Sequence, residues 1–294
     1  MRIRVDTGTY VVAVSGGVDS MVLLDLLRQN TKLKLVIAHF DHGIRSDSHK
    51  DRKLVQNIAL AHKLPFVYEE AKLGPGVSEA RARAERYKFL EKVRRASTAK
   101  AIITAHHQDD VLETVIFNLI RGTGRRGLTS LKSTDDIVRP LLAYDKERLR
   151  EYANTHMIAW REDPTNRDTT YTRNYIRANI LSKFSEAKRA QLLILLDQLS
   201  ALNQELDAHL EGLLHIQPAL NELSRGWFIG LPHDIAKEVA HVWLRRQGVK
   251  NITRKTIDRM VTAMKIGRNG QSIDVDKKFR LNIKRDVLAL IEKP

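Results

Sequence analysis

Along the first half of the chain, short apolar runs alternate with stretches whose apolar positions recur every three or four residues. Tyr10–Val14, Leu33–Phe40 and Ala101–Ala105 are short and mostly apolar, and Pro65–Glu69 is strand-like. Val18–Arg28 sets Val22, Leu23, Leu26 and Leu27 on one side and reads as a helix. A second helix is expected from an N-cap at Ser46 to about His62, and a third from its cap at Ser78 to near Arg95. A fourth covers Asp109–Arg121 and is stopped by Gly122. In it Leu112, Val115, Ile116, Leu119 and Ile120 fall at i, i+3, i+4, i+7 and i+8, a buried stripe. Apolar strands that alternate with helices predict an α/β fold: a doubly wound, mostly parallel sheet with helices on both faces.

From about residue 130 the alternation fades. Residues 134–156 predict a short extended piece and a helix, and 163–181 a polar loop and another helix. Ser185–Leu214 reads as one long leucine-bearing helix. Helices follow near His233–Gln247 and Thr253–Met264, and residues alternate from Gln271 to Ile291. The expected division is a domain at 1–184, then a linker helix and a smaller, mainly helical C-terminal domain at 185–294.

Composition adds a partner. Lys and Arg number 50 against 35 Asp and Glu, a net charge of +15. Such an excess favours a polyanion, nucleic acid first, over a merely solubilising surface. The absence of cysteine removes disulfides, thiolate metal sites and cysteine nucleophiles. With no charged-then-apolar leader and no apolar run reaching about 18 residues, the expectation is a cytoplasmic protein without membrane contact.

The chemistry starts at Val12–Leu27, VAVSGGVDSMVLLDLL. Ser15, Gly16, Gly17, Val18, Asp19 and Ser20 link the first strand to the first helix, where doubly wound sheets bind ligands. Adjacent glycines turn tightly and expose amides, and the helix N-terminus adds its own, so an anion, most simply a phosphate, belongs there. The loop lacks the lysine of G-x-x-x-x-G-K-[ST]. Asp19 repels phosphate unless Mg²⁺ bridges the two; the alternative is a helix-start carboxylate facing the dipole.

Ser-Gly-Gly-x-Asp-Ser resembles the pyrophosphate loop of the ATP pyrophosphatase, or PP-loop, superfamily, with its adenine nucleotide α-hydrolase-like fold. Those enzymes cleave ATP between the α and β phosphates and place AMP on a substrate oxygen. Four later stretches narrow the resemblance: HFDHGIRSDS, SEARARAERYKFL, AHHQDDVLETVIFNLIRGTGRRGL and WREDPTNRDTTYTRNYIRANIL. In this order they resemble the tRNA(Ile)-lysidine synthetase family, in a short form, over roughly residues 10–182. Beyond that the likeness is general, best in LPHDIAKEVAHVWLRRQGV, and TSLK after RGTGRRGL departs from the usual glycine-containing continuation.

The resemblance implies ATP and Mg²⁺ as cofactors, and free L-lysine and the tRNA(Ile) with a CAU anticodon as substrates; a homodimer stays open. It implies adenylation of the wobble cytidine at its C2 oxygen, then attack by the lysine ε-amine. ATP would lie on Ser15–Ser20, near Ala38 and His39, with Arg45 steadying phosphate charge unless it is a solvated loop arginine. Glu79, Arg83 and Arg86 share a helix face; Arg83 is the expected catalytic arginine, and a surface ion-pair ladder the plainer alternative. Asp110 and Glu113, about 60° apart around the helix and off the stripe centre, would bind lysine and take its proton. His106, His107 and Asp109 beside them leave a metal cluster as the alternative. Arg121, Arg125 and Arg126, in a loop with three glycines, would close over the tRNA backbone, against a solvated loop; Arg167, Arg173 and Arg177 near the aromatic Tyr171 and Tyr175 suit RNA with an exposed base, against domain packing. Arg254, Lys255 and Arg259 in the C-terminal domain suit backbone phosphates, against a solvated basic face. The rival functions are another PP-loop tRNA-modifying enzyme and a non-catalytic nucleic-acid-binding protein.

Overall fold

The computed structural model describes residues 1–43, 47–71, 73–74, 76–162, 172–217, 219–249 and 252–293. The first elements are β1 (Gly8–Ala13), α1 (Val18–Arg28), β2 (Leu33–Asp41), α2 (His49–Ala61), β3 (Phe66–Glu70), α3 (Glu79–Ala96) and β4 (Ala101–Ile103). Then come α4 (Gln108–Ile120), a short α5 (Arg125–Leu128), β5 (Ile137–Val138), α6 (Lys146–Thr155) and α7 (Thr172–Tyr175), which runs into a π-helical turn, Ile176–Ile180. The sheet order is β3-β2-β1-β4-β5, every pair parallel. The doubly wound sheet predicted from the alternating pattern is therefore present.

Period-two alternation splits the strands between two cores. Tyr10, Val12, Ile37 and Ile103 pack against α1 together with Leu149, Tyr152 and Ala153 of α6. Val11, Ala38 and Ile102 face the other way, onto Phe89, Leu90 and Val93 of α3. Strand order reverses between β1 and β4, so a crevice opens beyond their carboxyl ends. The loops after β1 and β4 both enter it.

The described residues form two compact units, Met1–Asp197 and Gln198–Pro294, and the helix α8 (Glu186–His215) runs through both. The second unit holds β6 (Glu222–Ser224), α9 (Arg225–Gly230), α10 (His233–Arg246), α11 (Arg254–Ile266), β7 (Ser272–Asp274), β8 (Phe279–Ile283) and β9 (Val287–Glu292). Its strands make an antiparallel sheet of order β6-β9-β8-β7 around Phe228, Trp243, Leu281 and Leu288.

Three differences from the sequence expectation have physical causes. β6 and α9 are unforeseen; three and six residues are too short to show periodicity. Leu119 and Ile120 are exposed rather than buried, because the residues packed on that stripe reach only as far as Phe117. α2 starts at His49, behind Ser48, and the expected cap Ser46 lies outside the described residues.

Candidate active site

The loop after β1 closes on its own hydroxyls. Ser20 Oγ accepts the N–H groups of Ser15 and Gly16, each at 3.2 Å, and donates to the Gly17 carbonyl at 2.9 Å. Ser15 Oγ accepts from Gly17 N–H at 3.4 Å. These three amides are taken up by the loop's own hydroxyls, which leaves the first N–H groups of α1 as the anion-binding feature. Gly16 has φ of 95°, which disfavours any side chain there. Its carbonyl accepts from Arg161 N–H at 3.0 Å. The Arg161 guanidinium holds Asp51 at 2.6 Å and Asp47 at 2.8 Å, bracing the loop from behind.

A cavity of about 220 Å³ lies in the crevice. Ser15, Asp19, Ser20, Arg86, Thr104 and His106 give it polar lining, and Ala38, Phe40 and Leu90 apolar lining. The layout suits a ligand with a flat apolar end and a charged end. Ala38 lies in the wall as expected. The His39 ring is turned away to the Val14 carbonyl, 2.9 Å from its Nδ1, and burial lowers its pKa, so only its backbone is left for a ligand. Phe40 and His42 take that place, their rings edge to face at 4.9 Å. Arg45 lies outside the described residues.

On α3, capped by Ser78 Oγ, Arg86 reaches the cavity wall. Arg83 instead lies over the Tyr87 ring, 4.9 Å from its centre. His106 sits near both and near Arg139; burial and these cations push its pKa down to about 2, so the ring is neutral. Its Nδ1 is 2.8 Å from Thr104 Oγ1.

A chain of charges links the loop to α4. Lys146 Nζ lies 2.6 and 2.5 Å from the two oxygens of Asp19. His107 Nε2 is 3.7 Å from Asp19 and 3.5 Å from Asp110, and its Nδ1 is 3.5 Å from Asp109. Asp110 accepts His107 N–H at 2.9 Å, closing the first turn of α4. Burial works to raise the Asp19 pKa, but His107 and Lys146 outweigh it and hold the carboxyl below its ordinary value. The His107 ring beside it, with Lys146 N–H and Arg189, holds Asp109 far below the usual carboxylate range.

Burial works against the charge on His107, yet the three carboxylates raise its pKa to about 9. A histidine with a raised folded pKa stabilises the fold fully below its unfolded value of 6.5, and that stability is lost as pH rises through about 9. We expect stability to fall between pH 6.5 and 9, by about 3 kcal/mol at most for this group. Denaturant unfolding across that range checks it, and in His107→Gln the fall should be flattened.

Spacing alone puts Asp110 and Glu113 off the buried stripe, open to a cation. Asp110 keeps some exposure, but Glu113 is fully buried, because the 172–181 segment packs over that side of α4. Arg173 Nη1 lies 2.6 Å from Glu113 and Arg173 Nε 2.7 Å from Glu79, while Arg177 pairs closely with Glu113 and lies 3.9 Å from Asp110. Burial pushes the Glu113 pKa up, and the two guanidiniums pull it back. These two arginines, expected on the RNA, are here engaged with carboxylates. Arg121 is exposed and stacks over Phe117, while Arg125 and Arg126 are half-buried in α5. Arg167 and Tyr171 lie outside the described residues; Tyr175 is exposed. In the second unit Arg254, Lys255 and Arg259 are exposed on α11, and Arg259 donates to the Asp274 carbonyl at 2.6 Å.

Sequence reasoning missed Lys146, Phe40, Arg139 and the Arg161 brace. Only Lys146 left a local trace, a cation in the first turn of a helix, where the dipole disfavours it.

Asp19 fits the protein's share of a magnesium site. Mg²⁺ is commonly held by one or two carboxylates plus phosphate oxygens and waters, and Asp19 offers a hard carboxylate at the cavity edge, provided Lys146 yields an oxygen. Among the described residues no group of three or more His, Cys, Asp or Glu is arranged to hold a metal, and no helix is long and apolar enough to cross a membrane.

Comparison with known proteins places the chain among relatives. The family described as the PP-loop domain matches residues 4–184. A tRNA(Ile)-lysidine synthase of Thermotoga sp. strain RQ2 is 38% identical over 193 residues, 62% of this chain and 46% of that protein. The enzyme of the same name from Thermus thermophilus is 41% identical over 192 residues, 61% of this chain and 37% of that protein. That of Enterococcus faecalis is 35% identical over 239 residues, 76% of this chain and 51% of that protein. The chain thus spans about half the length, or less, of these relatives. Among solved structures, a U34-tRNA thiolase, NcsA from Methanococcus maripaludis with its [4Fe-4S] cluster, shares the fold, with a TM-score of 0.54 at 18% identity over 66% of this chain and 73% of that one.

Proposed function

This chain belongs to the PP-loop domain family, and from that premise we propose that it modifies tRNA with ATP, joining free L-lysine to C2 of the wobble cytidine of an isoleucine tRNA. One observation carries the reading. The glycine loop with Asp19, at the N-terminus of α1, is joined through His107 to Asp110, an arrangement that supports a nucleotide and a cationic substrate meeting in one crevice. The curated relatives named tRNA(Ile)-lysidine synthase support the choice of reaction.

In this reading the cytidine O2 attacks the α-phosphate and pyrophosphate leaves; the lysine ε-amine then attacks C2, and AMP leaves with the oxygen. The N-terminal N–H groups of α1, beside the loop, hold departing phosphate, and Phe40, Ala38 and Leu90 receive the adenine. Asp19 would hold Mg²⁺, which when bound there draws charge from the phosphate oxygens. Arg86, with Arg83 behind it, balances charge at the adenylated oxygen. Asp110 attracts the lysine ammonium and can take the proton the amine sheds, while Glu113, buried under Arg173 and Arg177, holds those two arginines in place beside it. Neutral His106 can receive a hydrogen bond without adding a like charge.

ATP–pyrophosphate exchange tests the first half. Exchange that depends on tRNA supports adenylation of the RNA. Exchange driven by lysine alone would mean that the amino acid is activated instead. A thiolation reaction, the rival, calls on sulfur chemistry for which this chain has no cysteine.

The exposed cations of α11 are proposed to hold tRNA phosphates. Each neutralised phosphate contributes roughly 0.7–0.9 to the slope of log affinity against log salt. Changing Arg254, Lys255 and Arg259 together to glutamine should flatten that slope by about 2–3 and leave ATP binding unchanged. Filter binding across a salt series measures it; an unaltered slope would place the RNA elsewhere.

A further inference from the structure

The loop of Ser15–Ser20 carries no lysine, and a lysine from 127 residues further along takes up the position beside it. Lys146 opens α6, where a cation faces the positive end of the helix dipole and is of the wrong sign for helix stability. Its backbone is fixed: Asp145 caps the helix by accepting Arg148 N–H at 2.7 Å, and Lys146 N–H donates to Asp109 at 2.9 Å. Asp109 is itself held by Arg189 at 2.5 Å. The anchored residue sends its ammonium away from the helix, onto both oxygens of Asp19.

That contact has two consequences. A polyphosphate entering the loop meets a carboxylate, and the ammonium cancels most of the repulsion. A magnesium ion taking an Asp19 oxygen must also displace the ammonium from it. The Lys146 side chain is 35% exposed, so water does not have to be displaced for it to turn, and its partner Asp19 lines the cavity, which keeps the ammonium within a side chain's reach of a ligand there. Three donors on a compact charge suit phosphate oxygens.

We propose that Lys146 is a phosphate-binding residue of this site, held on Asp19 without nucleotide and passed to the phosphates when they and the metal arrive. It rests on the nucleotide reading of the crevice, and not on lysine or tRNA being the other substrates.

Titration calorimetry of the full chain with magnesium pyrophosphate, and then with magnesium ATP, is the test. Lys146→Met should weaken both by about 10- to 100-fold, the scale of a charge-assisted hydrogen bond, and Lys146→Arg by much less. A second pair separates phosphate contact from simple pairing with Asp19. In an Asp19→Asn background without metal, Lys146→Met should still weaken pyrophosphate binding about 10-fold. If Lys146→Met binds like the parent, or its loss vanishes in the Asp19→Asn background, Lys146 is only Asp19's structural partner and the proposal falls. If the affinities behave as stated but no lysine enters tRNA, the reaction reading falls and Lys146 stands. A parent chain that does not bind magnesium pyrophosphate overturns both.

Discussion

Asp19→Asn is expected to leave the chain folded and to lower ATP–pyrophosphate exchange by about 100-fold or more. Asn keeps the shape and loses the charge, so it gives magnesium a poor ligand at the point where phosphate charge builds. Removing one preorganised electrostatic group of this kind costs roughly 10²–10³ in rate. Stability should change less. Asp19 is a quarter exposed and Lys146 a third, so the freed ammonium can turn to water. His107 retains Asp109 and Asp110 as partners. Exchange assays at increasing Mg²⁺, with a thermal melt alongside, measure both. Parent-level exchange at saturating Mg²⁺ would remove Asp19 from the metal site.

Glu113→Gln is expected to act on stability and on lysine together. Glu113 is fully buried with a guanidinium on each oxygen, and a neutral amide leaves those cations without their counter-charge. Breaking a buried pair from one side costs about 3–5 kcal/mol. Glu79 still serves Arg173 and Arg177 is partly exposed, so the low end, about 3 kcal/mol, is expected. For a unit of this size that is a fall of about 6–12 °C in melting temperature. At temperatures where the variant stays folded, its apparent requirement for lysine should rise sharply, while tRNA-dependent exchange persists. Asp110→Asn should show the lysine effect with a smaller loss of stability, because Asp110 is less buried and pairs with Arg177 only at 3.9 Å. If both variants incorporate lysine at the parent rate, the two carboxylates serve the fold alone.

What the sequence made legible was local. Apolar β-branched runs and helical stripes announce the parallel sheet, and Ser-Gly-Gly-x-Asp-Ser lies where strand meets helix, so the pattern alone places the loop. The Ser78 cap and the stop at Gly122, where φ is 71°, were readable for the same reason. The unread features join distant segments. Lys146 reaches Asp19 across 127 residues, and a cation at the helix start in DKERLRE does not say which carboxylate it reaches. Glu113 meets Arg173 and Arg177 across 60 and 64 residues. Helical spacing gives its angle around α4 but not what covers that face. His39 sits at the expected strand end, yet strand alternation gives the face of a ring and not its hydrogen bond. Resemblance supplied the roles of Asp110 and Glu113; periodicity supplied only their angle.

The most direct measurement is the product itself. The chain is incubated with ATP, free lysine and bacterial tRNA, the tRNA is digested to nucleosides, and these are weighed by mass spectrometry. The account predicts a new nucleoside equal to cytidine plus one lysine less one water, formed only with ATP, with AMP and pyrophosphate released in equal amount. ADP and phosphate as products, or a cytidine modified without the mass of lysine, would contradict it.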